Sequence, residues 1–474
     1  MLSLGAAACS EAEEKPKQEP SCHEDPSVCD DGQVCEPLGS DTHMCLLPVL
    51  VRGRVFEAGS ELAVAEASIV ALDANGAARS RVARSLADGS YELPVSVPRD
   101  ADGAPLSEKI TLRVGAADYQ AFPTPPRAAL AIDLTDALAS SVGDAGSSVA
   151  DAGAGAEQHW VVENAATEVA LIALPEAARG GATVAGKVDA AAPGGVLVLA
   201  VRDAKALSSA ISDSDGSFVL FNVPEGAISL EGYRAELALT PKATSVGAAG
   251  LADVVLTGST AATGSVSGNI SIVNAEGSLT TSVILVVAST FDAAAARGES
   301  PAGLRVGDVS GAFQIDHVPA GRYAVLAAFE NDRLVRDPDQ SISGTDVVFV
   351  DVAAGQAVSL DQGFKVTQAL PIQAPGANGV EQMPAGMLRL SWGDDSSEDG
   401  YELRVYDALG SLVHENLGVP RVSGGANVGY DLDARAYEPG MFYQFRVKSW
   451  RDAKGTRSYI SASEDLRGVF EIMR

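Results

Sequence analysis

Cysteine and histidine are the residues of this chain best able to do chemistry, and four of the five cysteines stand together. Cys22, Cys29, Cys35 and Cys45 fall in one short segment rich in Asp, Pro and Gly, with His23 and His43 beside them. Two chemistries suit such a set: a pair of disulfides, or a zinc ion held by thiolates and imidazoles. Structural zinc sites use cysteine pairs two to four residues apart. The gaps here are longer, so two disulfides are expected, with all three pairings open. A segment this short cannot bury a core, and cross-links would hold it. No metal and no cofactor are expected.

The five histidines, His23, His43, His159, His317 and His414, are spread over four regions of the chain. There is no His-Glu-x-x-His, no Gly-x-Ser-x-Gly and no phosphate loop, so no catalytic residue is expected and the chain does not read as an enzyme. Asp213-Ser214-Asp215-Gly216 could suggest calcium. A helix-loop-helix calcium loop needs more alternating oxygens and a closing Glu, whereas Phe218 here opens a strand, so a tight hairpin turn is expected. Asp394, Asp395, Glu398 and Asp399 read as a solvated acidic loop. Of the three tryptophans, Trp392 reads as core. Trp450 lies on the opposite parity to Tyr443, Phe445 and Val447, at a strand end beside the loop 452–455. Trp450, together with Trp160, which would cap a sheet edge, is the candidate ligand contact.

The elements that would position these residues repeat. Ala87-Asp88-Gly89-Ser90-Tyr91, Asp213-Ser214-Asp215-Gly216-Ser217-Phe218 and Asp308-Val309-Ser310-Gly311-Ala312-Phe313 share a turn with Gly followed by an aromatic and an alternating apolar run. Such a repeated hairpin makes the chain an array of small β-modules. Each module opens on a strand with a Gly between apolar positions: Leu50–Val55, Ala182–Val188 and Gly264–Ile270. A continuous apolar run follows: Ala67–Leu72, Val196–Val201 and Val283–Val287, as in buried sandwich strands. Closing strands are expected at Thr167–Ile172, Ala252–Leu256 and Thr345–Phe349. From Gly89 to Val169 is 80 residues, against 38 from Gly216 to Val254 and 36 from Gly311 to Val347. The first module therefore carries an insertion, much of it the Gly/Ala/Ser/Asp stretch 140–158, whose composition cannot build a core.

Bulk properties agree. In 474 residues there are 48 Gly, and 46% of the chain is hydrophobic but only 5% aromatic, which suits sandwiches with many turns. The formal charge of −29 argues against nucleic acid, which requires clustered Lys and Arg. No run of about 18 apolar residues offers a membrane span.

The V-x-G-x-V openings, the D-x-D-G-x-F hairpin and the continuations Val223-Pro224-Glu225-Gly226 and Val318-Pro319-Ala320-Gly321-Arg322-Tyr323 resemble carboxypeptidase regulatory-like repeats. The resemblance implies small transthyretin-like seven-stranded sandwiches over residues 48–369. The second module has Ile228 where the Tyr would stand. The first lacks the Pro-x-Gly step and runs into a longer loop at Val97-Pro98-Arg99-Asp100. The zinc carboxypeptidase His-x-x-Glu pair is missing. Residues 370–474 resemble a fibronectin type III domain, which implies that Trp392 fills the core and that the Tyr443 hydroxyl bonds nearby loop backbone. The start, Met1 to Ser10, resembles the end of a bacterial lipoprotein signal, which implies a lipid on Cys9 and, from Ser10, sorting to the outer membrane.

The expected fold class is all-β, built of tandem small β-sandwiches arranged as a string. The expected parts are a signal remnant and tether (1–20), a disulfide knot (21–47), three regulatory-like modules (48–178, 179–259 and 260–369) and a fibronectin type III-like domain (370–474). The expected function is a non-enzymatic cell-surface lipoprotein that presents modules for binding or scaffolding, with a carbohydrate- or peptide-binding accessory subunit as the alternative. The expected partners are the membrane through the lipid and a glycan or surface protein. The expected location is the outer membrane or cell surface, otherwise secreted or periplasmic.

Overall fold

In a computed structural model the described residues are 22–474, except 23–25, 31, 40–41, 74–75, 107, 125–126, 128, 142–157, 274, 276, 294–296, 328–331, 337–346, 396, 423–426 and 465–466. The expected lipidated Cys9, the tether, His23 and most of the 140–158 insertion lie outside them. The fold is all-β, in tandem sandwiches. Among the described residues no helix is long and apolar enough to cross a membrane.

The knot is a hairpin of strands Val34–Leu38 and Thr42–Leu46. Two crossed disulfides, Cys22–Cys35 and Cys29–Cys45, close it. It does not stand on cross-links alone. Glu36, fully buried, pairs with Arg99 at 2.5 Å, and its other oxygen accepts from the Val97 amide. The longer loop that sets the first module apart from the others is therefore where the knot docks.

The repeat motif has a clear physical basis. In each module the opening Gly lies directly across from the hairpin aromatic: Gly53 faces Tyr91, Gly186 faces Phe218, and Gly268 faces Phe313. A Cβ at these glycines would come within about 3.0 Å of the ring atoms or hydroxyl, and closer still to the Thr167 or Val254 carbonyl oxygen or to Leu360. The motif therefore requires Gly because a ring and a neighbouring segment both crowd that position. Two residues further on, the amides of Val55, Val188 and Ile270 donate to the carbonyls of Gly89, Gly216 and Gly311. The third hairpin keeps this bond by another route: Gly89 and Gly216 have left-handed φ, whereas in the third hairpin Asp308 does.

The second module has seven strands. The sheet of Ser217–Val223, Ala182–Asp189 and Leu251–Thr257 faces the sheet of Lys205–Ile211, Leu197–Arg202, Gly226–Tyr233 and Lys242–Val246. Its opening and closing strands pair in parallel, as they do in the first module, where Val169–Leu171 runs beside Val49–Glu57. The third module differs from the sequence expectation. The predicted closer around Val347–Phe349 is the start of strand Val348–Val352, which belongs to the opposite sheet and pairs with Gly321–Ala327. The opening strand is closed instead by Ala357–Ser359 and Phe364–Gln368. Apolar alternation marks Val348–Val352 as a strand but does not assign it to a sheet.

The apolar runs are buried on both faces. In Leu197–Arg202, Val198 and Ala200 fill the module's own core, while Leu197, Leu199 and Val201 join a cluster with Val70 of the first module and the core of the third. Ile69 and Ala71 face the first core while Val70 faces outward into the shared cluster. Tyr233 of the second module meets Tyr323 of the third edge-on at 5.9 Å. The last module returns to the first: Ala408, Phe442 and Val469 complete the first core, and Arg127 donates to the Leu409 carbonyl. The expected string is therefore a packed body, because the outer sheet faces are too apolar to be left in water.

Candidate binding face on the last module

Residues 370–474 form a three-stranded sheet (Ile372–Ala374, Met387–Trp392, Val428–Asp433) packed on a six-stranded one that contains Gly400–Asp407, Leu412–Pro420, Phe442–Ala453 and Thr456–Ala462. Trp392 is fully buried between them, edge-on to Tyr401 at 5.6 Å. The Tyr443 hydroxyl accepts from the Glu438 amide at 2.8 Å. Tyr401, Leu403, Val405, Phe445 and Val447 face inward, so the alternate residues form the outer face.

That face carries a charged ladder. Glu402, only 4% exposed, binds Arg457 at 2.8 Å through one oxygen and Arg404 at 3.2 Å through the other. The Tyr459 hydroxyl donates to it at 2.9 Å, and burial together with this bond raises the Tyr459 pKa. Arg404 also binds Glu415 at 2.8 Å, and Lys448 stands 5.4 Å above the Tyr459 ring. Arg457 and Tyr459 both hydrogen-bond one Glu402 oxygen, while the other oxygen has Arg404 at ion-pair distance but no hydrogen bond, so the buried carboxylate is held by charge more than by replaced water.

Trp450 lies on this outer face, on the parity expected, but it is not an open platform. The Arg457 guanidinium stands 4.3 Å from its ring centroid, and a Cβ on Gly400 would lie 2.7 Å from the ring. A sugar would have to displace that cation–π contact to stack here. Trp160 lies on strand Gln158–Val162, which is one strand in from the edge strand Leu138–Ser141, and it packs against the first core. Among the described residues no ring contact joins the two tryptophans.

The acidic loop is hydrogen-bonded into the fold while Asp394, Asp395 and Asp399 stay partly or fully open to solvent. Asp394 accepts from the Tyr401 hydroxyl, Asp395 from the Ser449 hydroxyl, and Asp399 from the Asp452 amide. Glu398 is 4% exposed with one oxygen unpaired, and burial raises its pKa. The Asp-Gly turns spend their carboxylates locally: Asp88 accepts from Ser90 and Asp215 from Ser217. These bonds hold both Asp pKa values below the usual range. His414 pairs with the Tyr430 hydroxyl at 2.9 Å, and burial lowers its pKa. Among the described residues, the close cysteine sulfurs of Cys22, Cys29 and Cys45 are those of the disulfides.

Sequence reading missed Glu402, Arg457 and Tyr459. The available signal was the alternation of Glu402 and Arg404 with apolar residues, echoed by Arg457 and Tyr459.

The chain matches no family model and no curated protein. Among solved structures it is similar to a DUF3823 family protein from Bacteroides ovatus, at 10% identity and TM-score 0.22, over 44% of this chain and 99% of that one. It is also similar to BcpA, the major pilin subunit of Bacillus cereus, at 10% identity and TM-score 0.18, over 68% and 99% of the two chains. A third is the FN1–FN3 region of chicken CNTN1, at 12% identity and TM-score 0.15, over 62% and 99%. At these scores the likenesses carry no weight for fold or function.

Proposed function

We propose that this chain is a non-enzymatic cell-surface protein, anchored through a lipid on Cys9 to the outer membrane, whose modules lock into one body that holds the last module's charged face toward a partner. One junction carries this reading. Arg113 of the first module donates to the Ser209 hydroxyl of the second at 2.6 Å and to Glu299 of the third at 3.2 Å. Ser209 itself donates to Glu299 at 2.8 Å. Three modules thus meet on one half-buried, charge-assisted network, which suits a rigid scaffold rather than a flexible tether. The crossed disulfides favour an oxidising compartment. The regulatory-like and fibronectin-like resemblances support β-modules used for display.

The partner is better sought among proteins than glycans, because the Trp450 ring is occupied by Arg457 while the Glu415–Arg404–Glu402–Arg457 ladder offers alternating charge. Small-angle scattering of the full chain tests the rigid body. A radius of gyration near the ~23 Å of a compact chain of this length is expected, and about twice that, as for separated domains, would overturn it. Intact mass of the protein expressed with its upstream DNA tests the anchor: acylated Cys9 in the outer-membrane fraction is expected, and an unmodified soluble product with free thiols refutes it.

A further inference from the structure

The two disulfides of the knot bring four sulfurs into one cluster. The Sγ atoms of Cys22, Cys29 and Cys45 lie within 4.8 Å of one another although they belong to two different pairs. The fourth, that of Cys35, is bonded to Cys22, and Cys35 stands directly across the hairpin from Cys45. Residues opposed in that way start about 4.5–5.5 Å apart at Cβ. A tetrahedral zinc ion with Zn–S bonds of about 2.3 Å needs its four ligands about 3.8 Å apart. The long gaps between these cysteines in sequence are closed by hairpin register, which a linear pattern does not contain.

The hairpin that carries Cys35 and Cys45 is also held without the disulfides. Glu36 points to the face opposite its neighbour Cys35 and pairs there with Arg99. Arg99 donates from Nη2 to the Leu47 carbonyl at 2.8 Å. Its amide donates to the Pro37 carbonyl at 2.9 Å, and its carbonyl accepts from the Gly39 amide at 3.0 Å. Opening both disulfides therefore leaves two thiols on a docked hairpin and two on the segment just before it. Cys29, Cys35 and Cys45 are only half-buried, so an ion can reach them.

We infer that the reduced knot is a zinc site, with Cys22, Cys29, Cys35 and Cys45 as its four thiolate ligands. A dithiol reductant opens the two disulfides by exchange, giving two electrons and two protons to each and becoming a disulfide itself. Zn²⁺ then displaces the four thiol protons. A disulfide oxidant runs the sequence backwards: the crossed pairs re-form, the oxidant takes up the electrons and protons as thiols, and Zn²⁺ is released. Thiolates in a tetrahedral set suit zinc, whereas calcium and magnesium seek oxygen. The inference stands apart from the anchoring and display reading, since it concerns neither Cys9 nor the last module.

The test uses the full chain carrying Cys9→Ser, in which the four knot cysteines are the only thiols. It is reduced with a phosphine without air, then titrated with Zn²⁺ against a chromophoric chelator and, separately, with Co²⁺. One equivalent of zinc is expected, bound at least about a hundredfold more tightly than by the oxidised chain, and cobalt should give the intense visible bands of a tetrahedral thiolate site. Cys35→Ser and Cys29→Ser should each weaken zinc at least about tenfold, since even changes beyond the ligands themselves cost that much. Adding a disulfide oxidant should release the zinc and restore Cys22–Cys35 and Cys29–Cys45, read by peptide mapping. Melting temperatures report whether each variant is folded. Should the variants not fold, the comparison of reduced with oxidised chain carries the same information, because it changes no residue of the knot. No zinc on the reduced chain, equal binding by the oxidised chain, a weak octahedral cobalt spectrum, or unchanged affinity in a folded Cys35→Ser would overturn the inference.

Discussion

Strands Leu197–Arg202 and Gly400–Asp407 are both buried on two faces, yet they are covered in opposite ways. The outward residues of the first are Leu197, Leu199 and Val201, covered by neighbouring modules. The outward residues of the second include Glu402 and Arg404, covered by the module's own Arg457, Tyr459 and Glu415. An apolar outer face needs another domain to exclude water. A charged ladder shields its buried member with its own long side chains and leaves the module free to meet something else. The contrast separates faces that build this body from a face that can serve a partner.

The largest effect expected from breaking the comparison is at Leu199. Leu199→Ala removes fully buried volume from the shared cluster and should cost about 3 kcal/mol in urea denaturation. It should also enlarge the particle in scattering as the modules part. A cost below about 1 kcal/mol with unchanged dimensions would mean that the modules do not depend on one another there.

Next comes Arg113→Ala, which dissolves the three-module junction. A loss of about 1–2 kcal/mol is expected, because partly buried charged hydrogen bonds are of that size. Faster amide exchange along Lys205–Ile211 should accompany it. Exchange unchanged in that strand would show that the apolar contacts alone hold the modules.

The ladder should be more tolerant. Glu402→Ala leaves Arg404 and Arg457 near solvent, at 29% and 39% side-chain exposure, so about 1 kcal/mol is expected. Glu402→Leu should be close to neutral, since a well-packed apolar residue often replaces a buried ion pair without loss. A loss of several kcal/mol in both variants, read by thermal melts, would place the ladder among the structural elements rather than on a free face.

The smallest effect is at Glu398. Burial raises its folded pKa above the unfolded value, so the folded state holds the proton more tightly. Its contribution is most favourable at low pH and declines as pH rises through the window above the ordinary carboxylate value. Glu398→Gln should therefore melt slightly higher than wild type at pH 8, with the gap closing by about pH 4. A gap that widens on acidification would reverse the assignment.

Much of the fold was legible in the residues. The hairpin signature placed the repeated turns, because a Gly at a fixed place before an aromatic and an alternating apolar run marks a tight turn. Trp392 and the Tyr443 corner bond were readable through the fibronectin type III resemblance, which implies a core Trp and a corner Tyr at those places. The pairing of Gly53, Gly186 and Gly268 with Tyr91, Phe218 and Phe313 was not, since cross-strand register does not appear in a linear pattern. For the same reason Trp450 could be placed on the correct face while its cover, Arg457, went unseen. The third module's closing strand was misplaced because Val348–Val352 alternates as well as any closer, and only its partner Gly321–Ala327 fixes its sheet.

The sequence by itself determined the all-β class, the repeated module, the cysteine knot and the long apolar runs, because turn chemistry and hydrophobic period are local properties. Tertiary structure decided the crossed disulfide pairing, the burial of Glu36 against Arg99, the meeting of Arg113, Ser209 and Glu299, and the return of the last module onto the first. Those depend on which surfaces come together in space, and a run such as Val196–Val201 states that both its faces must be covered without stating by what.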